Sequence, residues 1–135
     1  MDIVLFIKIL VLFLIVDGLW LKLFMGPSYH KMIPKIQNSP MKTKLWTAIC
    51  AYLLLGIGIY YLVIPHIKKE SRYKDAIFYG GIFGLVVYGV YDFTAGSVLD
   101  QWDMKLAILD IIWGMFVCAI VPVILLYLDD KIIKK

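Results

Sequence analysis

Charge is scarce in this sequence, and so are the residues that mark soluble enzymes and disulfide-rich domains. Only 18% of its 135 residues are charged, whereas 62% are hydrophobic and the mean hydropathy is +0.86. A soluble domain has roughly 45 to 50% apolar residues, and a disordered chain has fewer. No low-complexity tract interrupts the apolar sequence. The composition therefore excludes a water-soluble globule and a disordered chain, and it predicts an integral membrane protein.

The sequence also lacks the spacing of a metal site or a catalytic centre. Cys50 and Cys118 have no Cys-x-x-Cys partner, and His30 and His66 fall in loops at opposite faces, so we expect no metal and no cofactor. No nucleophile with an orienting histidine and no phosphate-binding motif is present. We assign no catalytic residue, and a non-enzymatic role is favoured over an enzymatic one.

Four long apolar segments make up most of the chain. Each is long enough to cross a hydrocarbon core of about 30 Å as a helix, which takes roughly 20 residues. They lack the alternation of barrel strands. The segments are residues 3–25, 45–67, 76–99 and 104–128. We predict an all-α fold: one transmembrane domain of four helices over residues 1–135, with both termini on the same side of a lipid bilayer.

The basic residues decide the expected orientation. They lie mostly between the apolar segments and form no continuous basic face, so we expect no nucleic-acid partner. The termini and the 67–75 loop share one side, which carries Lys8, Lys68, Lys69, Arg72, Lys74, Lys131, Lys134 and Lys135. The other side, with the 26–44 and 100–103 connections, carries Lys22, Lys31, Lys35, Lys42, Lys44 and Lys105. The positive-inside rule then places the termini in the cytosol.

The 26–44 connection contains Gly26, Pro27, Pro34 and Pro40. These are turn and breaker residues. We therefore expect an irregular loop there, with a turn at the membrane interface around residues 29–36.

Three aspartates interrupt the apolar segments, although an ionisable group at membrane depth costs about 2.5 to 3.5 kcal/mol. At 1.5 Å per residue all three lie about 9 to 12 Å from the same membrane face. We expect them to share one leaflet and to meet each other, tyrosines, Thr94, Ser97 or water, because no basic residue within the segments is an evident partner. The predicted polar cluster consists of Asp17, Asp92, Asp110, Tyr88, Tyr91 and Thr94.

Small residues predict where the helices pack. Gly80 and Gly84 have the Gly-x-x-x-Gly spacing, and Gly114 shares a helical face with Asp110. Small residues allow helix backbones to approach closely in membranes. We predict close packing of the third and fourth helices at these glycines.

Two interpretations of the aspartates stay open. They could be protonated or hydrogen-bonded staples that fix the helices, since polar contacts between membrane helices contribute about 0.6 to 2 kcal/mol each. They could instead form a proton- or cation-binding site, as in a transporter-like protein. A short Asp-x-x-Trp echo, Asp17 with Trp20 and Asp110 with Trp113, is a weak sign of an inverted repeat.

The same residues carry a family resemblance. The blocks are Asp17-Gly18-Leu19-Trp20-Leu21 with Tyr29, Tyr88-Gly89-Val90-Tyr91-Asp92-Phe93-Thr94 with Leu99 and Trp102, and Leu109-Asp110-Ile111-Ile112-Trp113-Gly114. With them the chain resembles the DUF2177 family of small predicted membrane proteins, which occurs in bacteria and in some large DNA viruses. Ala95 and Asp103 stand where the family pattern commonly has Asn and Pro.

The resemblance implies a four-helix membrane protein but no activity, because the family's function is unknown. Its viral branch implies a further alternative, a structural component of a virion with an internal lipid layer. The partners left open are a second copy of the chain, neighbouring membrane proteins and capsid proteins.

Overall fold

The computed structural model describes residues 1–129, and every regular element in that range is helical. The helices are α1 (Ile3–Trp20), α2 (Gly26–Gln37), α3 (Leu45–Gly58), α4 (Arg72–Val98) and α5 (Met104–Leu128). A π-helical turn, Leu21–Met25, joins α1 to α2. A second π-helical turn, Ile59–Val63, and a 3₁₀ turn, Ile64–His66, extend α3.

Four helical stretches are long and apolar enough to cross a membrane, which confirms the predicted all-α class. They are Ile3–Gln37, Leu45–His66, Arg72–Val98 and Met104–Leu128. The first is longer than predicted, because α2 continues α1 through the π-helical turn without a break.

The expectation of an irregular connection from residue 26 is therefore wrong for residues 26–37. Pro27 lies in the first turn of α2, where a missing N–H leaves no hydrogen bond unmade. The helix ends at Asn38, whose φ of 54° is left-handed, a conformation that asparagine adopts more readily than most residues. Within the 26–44 connection, only residues 38–44 lie outside helices.

The closest packing in the described part of the chain joins α4 to α5. A methyl group added to Gly84 would overlap the carbonyl of Gly114, and one added to Gly80 would overlap the carbonyl of Cys118. Gly114 in turn lies directly against the ring of Tyr88. The two backbones touch here because these positions have no side chain.

The buried core lies towards the termini side of this helix pair. Its side chains come from α1, the turn after α3, and α5, and include Ile9, Phe13, Ile59, Val63, Val117, Val121 and Leu125. Near the same end, Lys8 forms a salt bridge with Asp129 at 2.9 Å. Lys131, Lys134 and Lys135, which contribute to the predicted orientation, lie outside the described residues.

The second span leans away from the third. Its last turns, Ile59–Val63 and Ile64–His66, pack against α4, whereas α3 itself packs mainly on α1 and contacts α4 only sparsely. Two of the buried polar residues described next, Asp17 and Asp110, border the space between α3 and α4.

Candidate functional site

Asp17 is held by two other helices. It lies one turn before the end of α1 and is 7% exposed. The hydroxyl of Tyr52 on α3 donates a hydrogen bond of 2.6 Å to Oδ2, and Nε1 of Trp113 on α5 donates one of 2.8 Å to Oδ1. Both carboxyl oxygens thus have a donor, and the contact joins three of the four spans.

The two Asp-x-x-Trp segments meet at this point. The rings of Trp20 and Trp113 stack with centroids 4.4 Å apart and planes inclined by 6°. The segments therefore face one another across α1 and α5. The match is one-sided: Trp113 donates to Asp17, while Nε1 of Trp20 is buried and has no partner among the described residues.

Asp92 on α4 has the opposite environment. It is 0% exposed, and neither carboxyl oxygen accepts a hydrogen bond from a described residue. Its polar neighbours are the indole of Trp102 and the carboxyl of Asp110 on α5. Nε1 of Trp102 is also buried without a hydrogen-bond partner in the described chain. A buried polar group without a partner is costly, so this arrangement calls for an explanation.

Asp110 lies between the two environments. It is 7% exposed and interacts with the carboxyl of Asp92 and the phenol of Tyr29 on α2, and more remotely with Asp17. The structure thus brings Asp92 and Asp110 together as a pair and keeps Asp17 as their separately bonded neighbour. No Lys, Arg or His forms a salt bridge with any of the three within residues 1–129.

The α2 helix covers this pair. Met32 of α2 packs on Trp102 and Ala107 in a second buried cluster, with Tyr29 and Leu99 at its edge. Because α2 lies over the far end of α4 and α5, Asp92 and Trp102 are closed off from that side.

The predicted tyrosines and threonine are placed differently from one another. The ring of Tyr88 packs on Gly114, and Tyr91 is about half exposed with its ring edge-on to Trp102. Thr94 is exposed on the outer face of α4 beside Phe93. The structure therefore does not bring Thr94 to the aspartates.

Four residues that contact or border the aspartates are not in the predicted polar cluster: Trp113, Tyr29, Tyr52 and Trp102. The Asp-x-x-Trp echo was a signal for Trp113, and the family blocks contained Tyr29, but nothing in the sequence singled out Tyr52. Trp102 belongs to a family block too, but its position near a span end is typical of an aromatic residue at the membrane interface. Its burial follows from the helical form of residues 26–37, which the sequence analysis expected to be irregular.

A cavity of about 650 Å³ opens between α3 and α4. Its outer edge consists of exposed side chains such as Leu54 and Leu62, and its walls include Phe83 and Val87. The polar residues that line it are Asp17, Tyr52, Tyr88, Tyr91 and Asp110. The cavity is thus reached from the lipid-facing surface and contacts both carboxyl environments. Among the described residues no three His, Cys, Asp or Glu side chains could hold a metal ion together.

Four apolar spans with buried carboxyl groups define a multi-pass α-helical membrane protein. The family of predicted membrane proteins DUF2177 matches residues 2–127 of the chain. The protein belongs to this family, as its sequence blocks indicated. No curated protein and no solved structure matches it.

Proposed function

We propose that the protein is a non-enzymatic integral membrane protein in which Asp17 fastens three spans together. The observation that carries this proposal is the pair of hydrogen bonds from Tyr52 and Trp113 to the two oxygens of Asp17. A polar residue costs free energy at membrane depth, and here the cost is offset by donors from two different helices. Such an arrangement fixes the rotation of α1 against α3 and α5.

The staple is tested by Asp17→Asn and Asp17→Leu. Asn keeps the size and one acceptor, so we expect most of the stability to remain. Leu leaves both donors without an acceptor, at about 1 to 3 kcal/mol for each buried group. Unfolding in mixed micelles of dodecylmaltoside and dodecyl sulfate, followed by circular dichroism, measures both variants. Equal stability of the wild type and the Leu variant would contradict the staple.

Asp92 and Asp110 favour a second candidate function, a proton- or cation-binding site. Asp92 has no hydrogen-bond donor in the described chain, and its carboxyl lies beside that of Asp110 without a basic partner. Two neighbouring carboxyl groups can share one proton or take one positive charge. Unlike Asp17, Asp92 accepts no hydrogen bond from another helix within residues 1–129 that would account for its burial.

Proteoliposomes with a pH-sensitive dye inside test this second function. We expect an imposed proton gradient to decay faster with the wild type than with Asp92→Asn, while both proteins have the same helical content. Asp100→Asn, in the exposed turn before α5, is the matched control and should behave as the wild type. The second function is wrong if the gradient decays at the same rate with and without the carboxyl of Asp92.

We also propose that the termini face the cytosol, as the eight basic residues of that side against six of the other favour. The partners proposed beside the lipid bilayer are a second copy of the chain and neighbouring membrane or capsid proteins.

A further inference from the structure

The cavity between α3 and α4 has the size of a ligand site. At about 650 Å³ it falls within the range of roughly 300 to 1,000 Å³ that pockets for small organic molecules occupy. Most of its lining is apolar, and a few polar groups converge at its inner part. This is the usual composition of a site for an organic ligand.

The cavity is open at its side. The ring of Phe83 lies against Gly58, where α3 and α4 meet, and both residues line the cavity. Leu54 and Ile57 on α3 and Leu62 in the π-helical turn that follows it line the cavity and are exposed. A ligand would therefore reach the cavity through the side that faces the acyl chains.

The polar groups select the charge of the ligand. Asp17 and Asp110 both line the cavity, and no cationic side chain pairs with either within residues 1–129. Asp17 already accepts two hydrogen bonds, whereas Asp110 borders Asp92, whose two oxygens lack donors in the described chain. A positive charge beside Asp110 would supply the missing counter-charge for this pair.

Aromatic rings add to the same preference. Tyr52, Tyr88 and Tyr91 line the cavity on the side of the carboxyl groups. Aromatic rings attract quaternary ammonium groups, by about 2 kcal/mol or more where water is excluded. Neutral acyl chains would gain from the apolar walls but would leave the carboxyl pair without a partner.

We propose that the cavity binds a lipophilic organic cation, with an ammonium head beside Asp110 and the tyrosines and an apolar body between α3 and α4. This inference deepens the second proposed function and rests on it, because it names the class of cation taken by Asp110, the member of the Asp92–Asp110 pair that lines the cavity. It is independent of the Asp17 staple.

Two probes of equal shape test the proposal. Octyltrimethylammonium carries the charge, and 2,2-dimethyldecane replaces its nitrogen by carbon. The protein in dodecylmaltoside micelles carries ¹³C-labelled alanine methyl groups, so that Ala48 and Ala51 report on the cavity and Ala76 on the buried core. We expect saturable shifts of the two cavity alanines with the ammonium probe and none at Ala76.

Variants locate the site. Asp110→Asn should weaken binding of the ammonium probe by about tenfold or more, which corresponds to about 1.4 kcal/mol. Asp100→Asn should leave binding unchanged. Ala51→Phe adds volume to the cavity lining without replacing a carboxyl group, and it should abolish the shift of Ala48 even if Asp110→Asn fails to fold.

The outcomes separate the two proposals. Equal binding of the charged and neutral probes overturns the inference in favour of a neutral acyl chain, and absence of saturable shifts overturns it outright. If the ammonium probe does not bind while the gradient decay still depends on Asp92, only the further inference is wrong. If the decay does not depend on Asp92 and the probe does not bind, both fail.

Discussion

Asp17 and Asp92 are the same residue type, both are buried and both are expected about 9 to 12 Å from one membrane face, yet their environments differ. Asp17 receives hydrogen bonds from two other spans, at 2.6 and 2.8 Å. Asp92 receives none from the described residues and borders another carboxyl group. Depth in the membrane alone therefore does not define what an intramembrane carboxyl group does. Its donors do, and they divide these aspartates into a structural contact and a candidate binding site.

The comparison predicts its largest effect for the two leucine variants. Asp17→Leu leaves two hydrogen-bond donors, Tyr52 and Trp113, without an acceptor. Asp92→Leu removes a buried carboxyl group that accepts no hydrogen bond from a described residue. We expect Asp17→Leu to be less stable than Asp92→Leu by about 2 to 4 kcal/mol. Unfolding of both variants in the same mixed micelles measures the difference. Equal losses would mean that Asp92 has a structural partner as strong as those of Asp17.

A smaller effect is expected for two buried indoles. Trp113→Phe removes a hydrogen bond to Asp17, while Trp102→Phe removes an N–H that has no partner in the described chain. The loss of ring volume is the same in both. We expect Trp113→Phe to cost about 1 to 2 kcal/mol more than Trp102→Phe. The reverse order in the same unfolding assay would show that the indole of Trp102 carries the stronger contact.

The smallest effect on stability accompanies the test of topology. Ser39→Cys and Ser71→Cys, each introduced with Cys50 and Cys118 replaced by alanine, should leave the fold intact. A membrane-impermeant thiol reagent should label the two cysteines from opposite sides of the membrane, with position 71 on the side of the termini. Labelling of both cysteines from the same side would contradict the four-span topology on which the depth of the aspartates is based.

Much of this architecture could be predicted from the sequence. The four spans follow from apolar runs that are too long and too uniform for anything but membrane helices. The three aspartates stood out because charge is rare in such runs. Gly80, Gly84 and Gly114 were named for helix packing from their spacing, and they lie where α4 and α5 touch.

The partners of the aspartates could not be predicted in the same way. The spans are apolar on nearly all faces, so no hydrophobic stripe fixes their rotation. Whether Asp17 meets Tyr52 or another side chain is decided by packing between helices. Pro27 and Pro34 predict a break, yet α2 contains both: Pro27 lies in its first turn, where proline is compatible with a helix, and Pro34 lies inside it near the C-terminal end. The cavity lies where α3 makes few contacts with α4, and no local pattern encodes how two spans pack.

The hydrogen bond from Trp113 to Asp17 offers the most direct measurement of the central claim. The chain has four tryptophans, so ¹⁵N-labelled indoles give four N–H signals that single Trp→Phe variants assign. We predict that Asp17→Leu moves the Trp113 signal upfield and opens it to exchange with solvent, while Asp92→Leu leaves it in place. A Trp113 signal that does not shift with Asp17→Leu, or that shifts as far with Asp92→Leu, would contradict the claim that Asp17 is the structural contact and Asp92 is not.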